Sequence, residues 1–112
     1  MMDESILNNI KKLLGLASDY TAFDTDIIIH INSVFNTLHQ LGVGPVTGFM
    51  IDSDTDTWTE FTSSDILLNS VKTYVYLRVR LLFDPPDSSY ARDAFDKQAK
   101  EIEWRLNVQA NT

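Results

Sequence analysis

The chain has 112 residues, which is the length of a single domain built around one hydrophobic core. Apolar residues make up 44% of it and charged residues 22%, a balance typical of folded globular proteins rather than disordered chains. The net charge is −7, because 16 carboxylates outnumber 9 Lys and Arg residues that form no basic cluster. This balance argues against nucleic-acid binding through phosphate neutralisation.

The absence of cysteine excludes disulfides, thiolate nucleophiles and zinc-thiolate sites, and the two histidines leave any metal centre dependent on carboxylates. No apolar run approaches the roughly 20 residues that cross a bilayer. The N-terminus also lacks the basic-then-apolar layout of a signal peptide. We therefore expect a soluble protein that is not exported by that route and has neither a cofactor nor a catalytic role.

Helical spacing of apolar residues predicts two helices in the first part of the chain. The first covers Asp3 to Leu14 and ends before Gly15, which suits a C-terminal cap. The second begins at Asp24 as its cap residue and ends before Gly42. Its apolar stripe continues for about four turns, which is too long for a strand.

The segment from Gly48 to Phe61 has a different pattern, in which two short apolar runs flank a polar stretch. Such a pattern predicts a small β-hairpin between the second and third helices. A two-stranded element cannot bury several large apolar side chains by itself, so we expect the hairpin to project and contact a partner. The residues expected in that contact are Phe49, Ile51, Trp58 and Phe61.

A third helix is predicted over Asp65 to Phe83, with Ser63 or Ser64 as its N-terminal cap. It is apolar nearly all round, which is typical of the central helix of a bundle. The run Asp84-Pro85-Pro86 ends it, because proline disfavours helical geometry before it and cannot donate to the backbone ladder.

A fourth helix is predicted from Asp87 or Ser88 to about Val108, followed by a flexible tail at 109–112. The sequence thus predicts one domain over residues 1–112. Its fold class is mainly all-α, a bundle of four main helices that carries one small β-hairpin.

Three aspartates in the predicted hairpin turn, Asp52, Asp54 and Asp56, alternate as the first ligands of a calcium loop do. Thr57 stands where that loop needs glycine, and Ser63 stands where it needs a bidentate glutamate. A polar turn without useful calcium affinity is the better interpretation, since aspartate bonds readily to its own backbone in turns.

A histidine four residues after an aspartate, His30 after Asp26, could form a general base with an orienting carboxylate. No nucleophile is placed near it by the sequence, and half-buried histidines at the border of an apolar stripe are common. With only four glycines there is no phosphate-binding loop. We therefore predict no catalytic, cofactor-binding or metal-binding residues.

The more informative residues break the amphipathic pattern. Trp104 and Val108 lie about 160° from the core stripe of the fourth helix, and Tyr90 lies beside them. Ile29 faces away from the stripe of the second helix, and Arg78 falls within the apolar arc of the third, where it should snorkel outward or meet a carboxylate. Exposed tryptophan patches mark interaction surfaces, although scattered exposed apolar residues are the plainer alternative. The candidate interface comprises Ile29, Phe49, Ile51, Trp58, Phe61, Arg78, Tyr90, Trp104 and Val108.

Several segments resemble the head-tail connector (head completion or adaptor) proteins of tailed bacteriophages, and together they cover nearly the whole chain. The two longest are Val71-Lys-Thr-Tyr-Val-Tyr-Leu-Arg-Val-Arg-Leu-Leu-Phe-Asp-Pro-Pro86 and Glu101-Ile-Glu-Trp-Arg-Leu-Asn-Val-Gln109. Leu13-Leu-Gly-Leu-Ala17, Phe23-Asp-Thr-Asp26 and Leu41-Gly-Val-Gly-Pro45 are similar too, whereas Asp87 to Ala94 departs from the family.

The resemblance implies a subunit that assembles with itself into a dodecameric ring beneath the portal protein after DNA packaging. Such a ring extends the DNA channel without sequence-specific DNA binding and docks the next head-completion or tail protein. It also implies contact with the portal through the C-terminal region and a place in the neck of the virion after synthesis in the bacterial host cytoplasm. The lack of a long apolar run separately predicts no membrane partner.

Two alternatives come from other classes. One is a small dimeric helical regulatory or adaptor module of a bacterial cell, which the mass of the particle in solution separates from a ring. The other is a calcium or carboxylate-metal hydrolase, which a test for binding of divalent metal separates from both.

Overall fold

A computed structural model describes residues 4–111. Within this range the helices are α1 (Ile6–Leu13), α2 (Asp24–Gln40), α3 (Trp58–Phe61), α4 (Asp65–Phe83) and α5 (Ser89–Ala110). Asp3 and Thr112 lie outside the described residues. The predicted start of the first helix is too early, because Ser5 is the cap residue and α1 begins at Ile6. The four long helices confirm the predicted helical bundle, and none of those in the described range is long and apolar enough to cross a membrane.

Serine side chains begin three of the helices by accepting a bond from a backbone N–H three residues later. The pairs are Ser5 with Asn8, Ser64 with Leu67 and Ser88 with Ala91. Helix α4 has the predicted bounds, and α5 continues beyond Val108 to Ala110.

The start of α2 differs from the prediction, because Asp24 is its first helical residue and Phe23 occupies the cap position without a side-chain bond. The Asp24 carboxylate instead lies 2.8 Å from the ammonium of Lys11, which is fully buried and also donates to the carbonyl of Ser18 at 3.0 Å. Lys11 follows Leu7 by four residues and so lies on the apolar side of α1. This ion pair joins the end of α1 to the start of α2.

Helix α4 is the central element of the bundle. It packs against both α2 and α5 and also contacts α1. Val71, Val75 and Val79 along it are fully buried. The nearly continuous apolar character of this helix therefore reflects contacts on several sides, as predicted.

The predicted hairpin between Gly48 and Phe61 is wrong, since no strand is found there within residues 4–111. The side-chain amide of Asn32 satisfies the backbone of Ile51 from α2. Its oxygen accepts from the Ile51 N–H at 2.8 Å, and its nitrogen donates to the Ile51 carbonyl at 3.0 Å. A side chain thus takes the place that a second strand would have filled.

The second half of the segment pairs with the N-terminus of the chain. Thr57 forms an isolated antiparallel bridge with Ser5 and then caps α3. Its backbone N–H donates to the Glu60 carboxylate at 2.6 Å, which makes a capping box. The single turn of α3 then places Trp58 and Phe61, which are three residues apart, on the side that faces the core.

The predicted projection of this segment is also wrong. Ile51 and Trp58 are each 1% exposed and Phe61 is 4% exposed. The ring of Phe35 on α2 lies 5.1 Å from Phe49, 6.1 Å from Trp58 and 5.0 Å from Phe61, centroid to centroid. These residues complete the core of their own chain, so Ile51, Trp58 and Phe61 are not available to a partner.

Candidate interaction surfaces

Helix α5 has two apolar faces, as its sequence predicts. Ala99, Ile102 and Leu106 are buried against the bundle. On the opposite side Tyr90 is 84% exposed, Trp104 67% and Val108 42%. We call the surface formed by Tyr90, Lys97, Trp104 and Val108 the outer face of α5.

Helix α2 carries a smaller exposed apolar site. Ile29 is 57% exposed, whereas Ile27 and Ile31 on the same helix are fully buried. Ser33 lies one turn after Ile29 and is exposed as well. Ile29 therefore lies on a polar helix face, as predicted.

A groove lies beside Ser33, between α2 and α4, with α5 at its edge. Its volume is about 270 Å³. It is lined by Ser33, Val34, Thr37, Tyr74, Arg78, Leu81, Leu82 and Glu103. We call it the α2–α4 groove; periodicity alone could not predict it, because it depends on how α2 packs against α4.

Arg78 borders the groove and joins α4 to α5. Its guanidinium donates to Asp96 at 3.0 Å and to Glu103 at 3.2 Å. The ammonium of Lys100 lies 2.9 Å from the other oxygen of Asp96. The prediction that Arg78 meets a carboxylate is confirmed.

Tyr74 completes this network from the buried side of α4. Its hydroxyl donates to Glu103 at 2.6 Å, and burial together with that bond raises the pKa of Tyr74 to about 12. Bonds from Lys100 and Arg78 lower the pKa of Asp96. The charged groups here bind one another across two helices, an arrangement typical of structural ion-pair networks.

The acidic turn that resembles a calcium loop is bonded to its own backbone. One oxygen of Asp56 accepts from the backbone N–H of Asp52 at 2.7 Å and of Ser53 at 3.2 Å. Residues 4–111 contain no group of three His, Cys, Asp or Glu side chains placed to hold a metal ion.

The other predicted candidate pair does not form a catalytic arrangement. Asp26 is exposed, and the His30 ring stacks edge-on against Phe83 with 6.4 Å between ring centroids. The described part of the chain instead exposes apolar side chains on α2 and α5.

The fold and these surfaces define a small helical protein with exposed apolar faces. A family model described as phage connector protein matches residues 6–112, and the chain therefore belongs to this family. No curated protein and no solved structure matches it. The match confirms the resemblance to phage head-tail connectors, which are structural proteins rather than enzymes, and gives the chain a structural connector role in a phage particle.

Proposed function

We propose that this chain is a ring-forming subunit of the head-tail junction, placed between the portal protein and the next head-completion or tail protein. The observation that carries the proposal is the family match over residues 6–112. In this role the subunits form a dodecamer in the neck of the virion, after synthesis in the host cytoplasm.

A ring requires two different contact surfaces on each subunit, because only head-to-tail contacts repeat around a closed axis. The outer face of α5 and the exposed Ile29 on α2 support this requirement, since they lie on different helices. The proposed interface therefore comprises Ile29, Tyr90, Trp104 and Val108, with Arg78 at its edge.

The charge of the chain suits a channel through which DNA passes. With a net charge of −7 the subunit repels phosphates, so DNA can move without being held. We propose that the ring extends the DNA channel after packaging, without sequence-specific DNA contacts.

The C-terminal end of α5 is proposed to contact the portal. Val108 is 42% exposed close to that end of the helix, which ends at Ala110. An exposed apolar residue at a helix end suits docking on a larger assembly.

Native mass spectrometry and negative-stain electron microscopy of the purified protein, alone and mixed with portal protein, test the proposal. We expect closed rings, with a mass that is a large multiple of 12.8 kDa, and binding to the portal. A stable dimer that does not bind the portal would contradict the proposal and support the alternative of a regulatory module.

A further inference from the structure

Charge is distributed unevenly along this chain. Residues 13–71 contain no Lys or Arg but eight carboxylates: Asp19, Asp24, Asp26, Asp52, Asp54, Asp56, Glu60 and Asp65. Seven of the nine basic residues follow, namely Lys72, Arg78, Arg80, Arg92, Lys97, Lys100 and Arg105. The chain thus has an acidic part that contains α2 and a more basic part that contains α5.

The folded chain turns this difference into two distinct surfaces. Arg78 binds Asp96 and Glu103, so two carboxylates of α5 face α4. On the exposed side of α5, Lys100 is bound to Asp96 and Arg105 is bound to Glu101. Arg92 and Lys97 therefore outnumber the one remaining carboxylate of that side, Asp93, and Lys97 lies two turns before Trp104. On α2, Asp26 is exposed two turns before Ser33, beside the groove.

The α2–α4 groove has the size and chemistry that suit an aromatic side chain. Its volume of about 270 Å³ exceeds the roughly 150 Å³ of an apolar cavity that holds benzene. Val34 and Leu82 supply apolar wall, and the guanidinium of Arg78 can lie over an aromatic face. The hydroxyls of Ser33 and Thr37 can accept the bond that an indole N–H donates.

Trp104 cannot fill the groove of its own chain. It lies on the side of α5 opposite the buried stripe and is 67% exposed, whereas its neighbour Glu103 lines the groove. The groove and the tryptophan are therefore complementary surfaces that only two molecules can bring together.

We propose that Trp104 of one copy of this chain inserts into the α2–α4 groove of the next copy, with Lys97 on the outer face of α5 placed near Asp26 of α2. The inference rests on the proposed ring, because this contact joins two different surfaces and can repeat around a closed axis. Opposite charges on the two surfaces also offset the repulsion between copies that each carry −7.

The test uses two variants of exposed residues, one for each surface. Trp104→Ala removes the inserted side chain, and Ser33→Lys puts a cation at the groove opposite the basic helix. Each should weaken self-association at least tenfold in analytical ultracentrifugation, and raised salt should weaken the wild-type contact. The control is Ile66→Ala, which removes an 83% exposed apolar side chain elsewhere on α4 and should assemble as the wild type does.

Mixing the two variants gives the sharper result. A Ser33→Lys chain still carries Trp104 and a Trp104→Ala chain still carries the groove, so an equimolar mixture should form a complex of one chain of each and nothing larger. Circular dichroism should show the same helix content in all variants.

Three results would overturn the inference: a mixture that stays monomeric while the wild type assembles, a Ser33→Lys chain that assembles normally, or a wild type without self-association near millimolar concentration. The first two results would not contradict the proposed ring. After the third result, the ring would have to be tested with portal protein present. A wild type that forms only dimers would instead contradict the proposed function.

Discussion

The two tryptophans of this chain lie in opposite environments although the sequence suggests the same role for both. Trp58 is 1% exposed within the core, and Trp104 is 67% exposed on α5. Trp104 belongs to a long helix, where periodicity determines which side of the helix a residue occupies. Trp58 follows a turn, where no period applies, and only tertiary contacts decide its position.

The site of Trp58 is built by parts of the chain that are distant in sequence. Its indole N–H donates to the Asn9 side chain on α1 at 3.1 Å. The ammonium of Lys72 on α4 lies 5.8 Å from the ring centroid and is held by Glu4 at 3.2 Å. Trp58 therefore links the N-terminus, α1 and α4.

The largest expected effect is the loss of Trp58. Trp58→Ala should lower the free energy of unfolding by about 3 to 5 kcal/mol, because it leaves a large cavity in the core. Thermal and urea denaturation measure this change. Met50→Ala is the matched control from the same segment, since Met50 is 66% exposed and its loss should cost less than about 0.5 kcal/mol. Equal effects of the two variants would mean that the segment is not packed on the core.

The two faces of α5 provide the next comparison. Ile102 is 8% exposed, so Ile102→Ala should lower the free energy of unfolding by about 2 to 5 kcal/mol through a cavity. Trp104→Ala should leave the subunit folded and weaken assembly by about 2 kcal/mol per contact. Denaturation and sedimentation separate the two effects. If Trp104→Ala melts like a core variant and assembles normally, the two-faced interpretation of α5 is wrong.

Substitutions of Asn32 test whether its contact with Ile51 explains the absence of the predicted hairpin. Asn32→Ala should lower stability by about 2 to 4 kcal/mol, because it leaves both backbone groups of Ile51 without their partner. Asn32→Asp keeps an acceptor for the Ile51 N–H but places a charged carboxylate oxygen against the Ile51 carbonyl, so a loss at least as large as that of Asn32→Ala is expected. Asn36→Ala, an exposed position on the same helix, is the control. Stability unchanged by Asn32→Ala would show that the segment does not depend on this contact.

The sequence predicts the four longer helices of this fold well, because each has a periodic stripe and a recognisable end. The bounds of α4 follow from Ser64 as cap and from the prolines after Phe83. The prediction for residues 48–61 is wrong because this segment has no such period. Apolar residues on both sides of a turn fit a hairpin and a buried loop equally. Its signal for a helix was the spacing of Thr57 and Glu60, which forms a capping box.

The candidate surfaces likewise include some features that the sequence predicts and others that depend on tertiary packing. The exposure of Ile29 and Trp104 follows from helical wheels and could be predicted. The α2–α4 groove could not, because its walls come from helices that are distant in the sequence. Arg78 was recognisable as a residue that needs a carboxylate, but its partners Asp96 and Glu103 follow only from the packing of α5 on α4.

A smaller effect, restricted to alkaline pH, is expected at Tyr74. Its pKa is raised to about 12 in the folded protein from 10.0, so the folded state favours the neutral hydroxyl. The contribution of Tyr74 is fully present below pH 10 and is lost as the pH rises toward 12, with a magnitude of about 2 kcal/mol. Denaturation between pH 8 and 12 on the wild type and on Tyr74→Phe measures it. An identical pH dependence of stability in both proteins would contradict the assignment.

The smallest expected effect is that of calcium on the turn before Trp58. A calcium ion needs several free oxygen ligands, yet Asp56 already accepts bonds from the backbone of Asp52 and Ser53. Binding through that oxygen of Asp56 would break these bonds and disturb the start of α3, where Thr57 and Trp58 follow directly. Thr57 and Ser63 also stand where a calcium loop needs glycine and a bidentate glutamate. Calorimetry should therefore show no binding with a dissociation constant in the sensor range of roughly 0.1 to 10 μM, and millimolar calcium should leave the melting temperature unchanged. Asp54→Asn, at an exposed position of the turn, should behave identically. Tight binding that this substitution abolishes would contradict this expectation and show that the turn takes a cation.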